Sequence, residues 1–203
     1  LMLDQKGVIL LGAYAMQHPQ SALIRQWAQY IAQLSHHTVS YVTDGANASG
    51  AWLAGAVPHR AAAGMAVERP GADAKTLLTE KAKRVYFLVN FEPELDTAYP
   101  EAALKTLSDA GMVVCLTPFV TDTMREYADF ILPNAPMTET DGCFINIEGR
   151  QQVFSAITPP QGEAKPAWKV VRVLANFMQL GEFDYQSIHE VHHELKEKIN
   201  AMS

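Results

Sequence analysis

The chain has 203 residues, 16 Lys and Arg against 22 Asp and Glu, a net charge of −6, and 48% hydrophobic, 19% charged and 9% aromatic residues. That is the make-up of an ordinary folded chain with room for one substantial domain or two small ones, and it excludes the disordered and fibrous classes. Lys and Arg are not in excess and form no basic block, which argues against nucleic acid and anionic membrane surfaces as partners.

Near the N-terminus, Leu1-Met2-Leu3 leads almost at once into a strand, so the chain reads as a fragment of a longer polypeptide. The apolar run from Val8 to Ala15 is too short to span a bilayer and lacks a signal-peptide pattern, which predicts a cytoplasmic setting without direct membrane insertion. Within it, Gly7 to Ala13 is a continuous apolar run, expected as a strand buried on both faces of a parallel sheet. From Pro19 to Leu34, the residues Leu23, Ile24, Trp27, Tyr30, Ile31 and Leu34 recur at spacings of three and four, which predicts one face of a helix. Thr38 to Thr43 follows as a β-branched strand and completes a βαβ unit. Asn47 is expected to cap a helix from Ala48 to Val57, closed by Pro58. Burial of Trp27 and Trp52 is expected to stabilise the fold.

From His59 to Ala74 no period survives, which predicts an irregular crossing. A short helix is expected over Leu77 to Lys83 and a strand over Arg84 to Asn90. Phe91 to Glu94 reads as a turn. Ala102 to Ala110 reads as a helix ended by Gly111, and Met112 to Thr117 as a buried strand. Asp122 is expected to cap a helix through Tyr127. Phe130 to Leu132 is an apolar run stopped by Pro133, which has no N–H for a ladder and so marks the end or the edge of a strand. A polar loop with Glu139, Asp141 and Gly142 leads into a hairpin turning at Gly149. After the turn at Thr158 to Gly162, helices are expected over Ala167 to Leu180, stopped by Gly181, and over Ser187 to Ile199. Strands alternating with helices predict an α/β fold: a doubly wound, mostly parallel sheet with flanking helices, a small hairpin and C-terminal helices. The expected division is a Rossmann-like α/β domain at 1–126 and a continuation at 127–203, with a partial second lobe as the alternative for the latter.

Most catalytic signatures are missing. A dinucleotide fold needs several glycines at its first turn and only Gly12 is present; Asp44, after the second strand, reads as an acidic turn residue. Neither GxxxxGK[ST] nor GxSxG occurs. Cys115 and Cys143 lack CxxC spacing and are expected as reduced thiols. His189, His192 and His193 share a helix that offers too few ligands for a closed site, so no metal is expected. Glu139 and Asp141 read either as an acid/base pair or as acceptors for backbone amides. Arg150 reads as an anion contact or, the favoured reading, as the partner of Glu148 or Glu139.

Ala128-Asp129-Phe130-Ile131-Leu132-Pro133, Glu139-x-x-Gly142 and Asn146-x-Glu148-Gly149-Arg150-x-Gln152 together resemble the signature of the molybdopterin oxidoreductase family. The resemblance continues through Pro160-x-Gly162-Glu163-Ala164-Lys165 and Trp168. Within that family, Asn47-Ala48-x-Gly50-Ala51-Trp52-Leu53-Ala54-Gly55-x-Val57-Pro58-His59-Arg60 is similar to a segment of the large iron–sulfur subunit of respiratory complex I, the NADH-quinone oxidoreductase of bacteria. The resemblance implies the C-terminal structural region of such a subunit, in a machine passing electrons from NADH through flavin and iron–sulfur clusters to quinone. It implies no catalytic residue and no cofactor in this stretch, with iron–sulfur clusters bound upstream. Glu139, Asn146 and Arg150 would be vestigial cofactor-side positions. Partners would be other peripheral-arm subunits of complex I, on the cytoplasmic side of the inner membrane as a peripheral part of a membrane complex. Family members commonly carry Thr where this chain has Cys143, a weaker donor. The rival within the same family is the pterin-cofactor domain of a formate-dehydrogenase-like molybdoenzyme, with Glu139, Asn146 and Arg150 facing the cofactor.

Overall fold

The structure, a computed structural model, describes residues 6–42 and 44–201. The expectations that fall on Leu1 to Leu3 and on Thr43 lie outside the described residues. The chain forms two compact units, Leu1–Leu53 with Cys143–Gln152, and Ala54–Gly142 with Val153–Ser203.

The first unit carries β1 (Val8–Leu11), α1 (Ala13–Gln17), α2 (Ser21–Ser35) and β2 (Thr38–Tyr41), and most of α3 (Ala48–Ala54). Strands β1 and β2 pair in parallel, Val8 opposite Thr38 and Leu11 opposite Tyr41, as the expected βαβ unit requires. Helix α1 was not expected; it starts where the carbonyl of Gly12 accepts the N–H groups of Ala15 and Met16. Helix α2 ends on His36 in the left-handed region at φ 54°, its N–H bonded to the Ala32 carbonyl.

Two burial expectations fail here. Strand β1 is not buried on both faces, since Val8 and Leu10 are 60% and 63% exposed. Trp27 is 57% and Trp52 50% exposed, so neither indole is a core residue. The physical reason in α2 is a choice between two stripes about 100° apart on one helix. The small residues Ala28, Ala32 and Ser35 face inward, and the larger stripe of Leu23, Trp27, Tyr30, Ile31 and Leu34 stays exposed. Trp27 and Tyr30 meet edge to face on that stripe, 6.1 Å between ring centres.

The second unit is built on β3 (Tyr86–Val89), β4 (Val113–Thr117) and β5 (Phe130–Pro133), a three-stranded parallel sheet in the order β3-β4-β5. Tyr86 lies opposite Val113, and Val114 opposite Phe130. Its helices are α4 (Ala74–Thr79), α5 (Pro93–Asp96), α6 (Pro100–Ser108), α7 (Asp122–Tyr127), α8 (Ala167–Phe177) and α9 (Ile188–Asn200). Because β4 is central, its apolar side chains are sealed on both faces; Val113, Cys115 and Leu116 join Tyr86, Leu107, Met124 and Tyr127 among the buried residues. The boundary expected at 126/127 falls inside this unit, in the last turn of α7 and just before β5, which pairs with β4.

Several local expectations shift for identifiable reasons. Pro133 marks the end of edge strand β5 as expected, but as its last paired residue, opposite Thr117, because an edge strand can omit an outward N–H. Helix α4 starts earlier than expected because the side chain of Asp73 accepts the Thr76 N–H at 2.8 Å. The cap of α7 is Thr121, accepting from Met124 at 3.0 Å, and not Asp122. Gln179, at φ 57°, turns the chain after α8 before Gly181 is reached. Gly111 ends the α6 region for a packing reason, since a Cβ there would lie 2.7 Å from the Arg84 carbonyl oxygen. The hairpin consists of β6 (Gly142–Ile145) and β7 (Gln151–Phe154). The fold is α/β, with parallel sheets flanked by helices.

Burial of Leu116 against exposure of Trp27 sets a direct comparison. Leu116→Ala is expected to lower stability by about 2–5 kcal/mol and Trp27→Ala by less than about 1 kcal/mol, read from urea denaturation midpoints. Equal losses would contradict the burial assignment.

Candidate functional site

In an open parallel sheet the carboxyl ends of the strands form the usual ligand crevice. At that edge of β3-β4-β5, Asn90 follows β3 and holds a left-handed backbone at φ 48°. Its N–H donates to the Leu116 carbonyl at 2.9 Å. Asn134 follows β5, is 3% exposed, and donates its backbone N–H to the Thr117 carbonyl at 3.0 Å. Its side-chain Nδ2 reaches across the end of β4 to the Asn90 Oδ1 at 2.8 Å. The two outer strands are thereby tied past the central one. The Asn134 Oδ1 is buried and has no hydrogen-bond partner among the described residues.

Beside this edge, the Thr121 hydroxyl donates to the Glu94 Oε1 at 3.3 Å, while the Glu94 Oε2 is buried without a partner among the described residues. The Tyr127 hydroxyl is likewise buried and has no partner among the described residues. Burial, reinforced by the charge of Glu94, pushes the Cys115 thiol up to about 11. Burial also raises the Tyr127 phenol well above the tyrosine range, with Cys115, Glu94 and Glu92 adding to it. Both groups therefore stay protonated and neutral at pH 7. Chemically the edge offers two uncommitted acceptors, which suit a group presenting N–H or O–H donors.

The loop and hairpin positions singled out from sequence are committed differently. Glu139, in a 3-10 turn, uses Oε2 to accept the Gln161 N–H at 2.9 Å, and the Asp141 Oδ1 accepts the Ala156 N–H at 2.8 Å. Of the two readings left open for these carboxylates, the structure shows the backbone-amide one. The Asn146 Oδ1 accepts from both Glu148 at 3.0 Å and Arg150 at 2.9 Å, closing the hairpin turn with Gly149 at φ 78°. Asn146 and Arg150 thus share one turn of the first unit, whereas Glu139 belongs to the second. The favoured ion pair of Arg150 with Glu148 or Glu139 does not form; the arginine is exposed and makes no ion pair among the described residues. Its exposure explains this, because a solvated guanidinium gains little from a fixed partner. Cys143 donates through Sγ to the Phe144 carbonyl at 3.6 Å, a weak bond.

Asn47 stands directly before α3, as expected, and its carbonyl accepts the Ala51 N–H. Its Oδ1 accepts the N–H of Ile145 in β6 at 2.9 Å, so the side chain ties the start of α3 to the hairpin. A Cβ at Gly50 would fall 2.0 Å from that same Oδ1, which gives the Asn47-x-x-Gly50 spacing a steric reason. Asn90, Asn134 and Glu94 were not candidate site residues from sequence; the only signal was the position of Asn90 at a strand end. In α9, His193 lies 3.5 Å from Glu197, and no group of three or more His, Cys, Asp and Glu side chains among the described residues is placed to hold a metal.

Residues 1–177 match the family model for molybdopterin oxidoreductase. The chain belongs to this family. It is 32% identical over 112 residues to the assimilatory nitrate reductase catalytic subunit of Bacillus subtilis, covering 55% of this chain and 16% of that protein. It is 37% identical over 101 residues to the F420-dependent formate dehydrogenase 1 subunit alpha of Methanococcus maripaludis, covering 49% and 14%. It is also 37% identical over 70 residues to the mitochondrial NADH-ubiquinone oxidoreductase 78 kDa subunit of Candida albicans, covering 34% and 10%. The chain therefore spans a sixth or less of the length of these molybdopterin-family relatives. The family implies a pterin group, whose ring amines need acceptors. Glu139 and Asn146 each commit one oxygen to backbone N–H groups, whereas the strand edge at Asn134 and Glu94 keeps buried acceptors without a partner among the described residues and is the better fit.

Asn146→Ala removes the acceptor for two turn amides and is expected to destabilise the chain by about 1–3 kcal/mol, while Arg150→Ala changes stability by no more than about 0.5 kcal/mol. Thermal melts of both variants check this, and a larger loss at Arg150 would overturn it. Gly50→Ala is expected to cost about 1–3 kcal/mol, and combining it with Asn47→Ala should recover part of that loss in the same melts. For pH, the thiol of Cys115 ionises near 9.0 when unperturbed but only near about 11 in the fold. Between those values the folded state binds the extra proton, so stability is complete below pH 9 and falls as pH rises through 11. A Cys115→Ala variant should show a shallower alkaline loss; an unchanged slope would remove Cys115 as its source.

Proposed function

We propose that the chain is a structural domain: the C-terminal α/β region of the large iron–sulfur subunit of a respiratory NADH-quinone oxidoreductase. The observation that carries this reading is the commitment of the loop acceptors. Glu139, Asp141 and Asn146 each bond backbone amides, which is what a loop retained for shape would show. The likeness to the 78 kDa subunit supports it. In this proposal the domain supplies no reacting group; it supports electron passage from NADH to quinone by holding its place in the peripheral arm. Iron–sulfur clusters would be bound elsewhere in the subunit, and the partners would be other peripheral-arm subunits on the cytoplasmic side of the inner membrane. Among the described residues no helix is long and apolar enough to cross a membrane.

A second reading, the cofactor domain of a formate-dehydrogenase-like molybdoenzyme, is favoured by one observation. The buried, unpartnered Asn134 Oδ1 sits beside the left-handed Asn90 at the strand edge, an arrangement suited to accepting a ligand N–H. The nitrate reductase and formate dehydrogenase likenesses support this reading too.

The two separate on the native, full-length protein purified from its own cells. The structural reading expects co-purification with NADH-oxidising, quinone-reducing activity and no stoichiometric molybdenum. Glu139→Gln should then lower the amount of assembled complex without changing turnover per assembled complex. Stoichiometric molybdenum, or a turnover loss in fully assembled complex, would overturn it.

A further inference from the structure

We draw no further inference here: the strongest candidate, the groove of about 440 Å³ in the second unit between the Glu139–Asp141 turn and the first turns of α8 and α9, rests on the uncapped start of α8 at Pro166 and on the exposed Lys165 and Lys169, whose charges Glu139 and Asp141 offset in the same lining, with no second observation pointing to a ligand.

Discussion

Strand β4 is hydrogen-bonded on both edges and sealed on both faces, and the second unit depends on that placement. A parallel strand in this position must be almost wholly apolar, because any polar side chain on it would need a partner inside the core. Val113-Val114-Cys115-Leu116-Thr117 meets the condition, with Thr117 reaching polarity only at the end, where its hydroxyl bonds the Phe119 backbone. Neighbouring elements are then positioned by the chain's return to this strand. Asp129 accepts the Val113 N–H through Oδ2 at 2.7 Å while its own N–H reaches the Val113 carbonyl, fixing where β5 begins. The same centrality raises the Cys115 thiol and keeps it inert at neutral pH, so this cysteine packs rather than reacts.

Where the chain leaves regular structure, side-chain oxygens take over the bonding that ladders supply elsewhere. Between the end of β5 and the start of α8, Glu139, Asp141 and Asn146 together satisfy four backbone N–H groups, those of Gln161, Ala156, Glu148 and Arg150. Such bonds each contribute about 1 kcal/mol net and cost more to leave unmade. This gives the acidic and amide residues of the family signature a role that needs no ligand. It also separates them from the strand edge, where Asn134 and Glu94 each keep a buried oxygen without a partner among the described residues. The loop and the strand edge thus differ in chemistry: each of the three loop residues holds backbone amides, while the strand edge keeps two buried acceptors without a partner among the described residues.

The first unit shows a different balance. Its parallel pair and α2 are held by small inward residues, and its largest apolar side chains lie outside. Asn47 contributes an order that hydrophobic patterning does not, joining α3 to β6 through one amide-to-backbone bond across 98 residues of sequence.

Much was legible without coordinates. The apolar runs at Val8, Tyr86, Val113 and Phe130, and the three-to-four spacing in α2 and α8, determine strands and helices because side-chain periodicity follows directly from backbone geometry. The turn at Gly149 and the family signature were readable for the same local reason. Tertiary structure alone decided which stripe of α2 is covered, that Thr121 rather than Asp122 caps α7, and that Asn47 bonds a distant strand. It also decided that Arg150 joins no ion pair among the described residues and that Asn134 and Glu94 keep buried acceptors without a partner among them. Each of these depends on what lies opposite a side chain in space, and periodicity describes only what lies beside it along the chain.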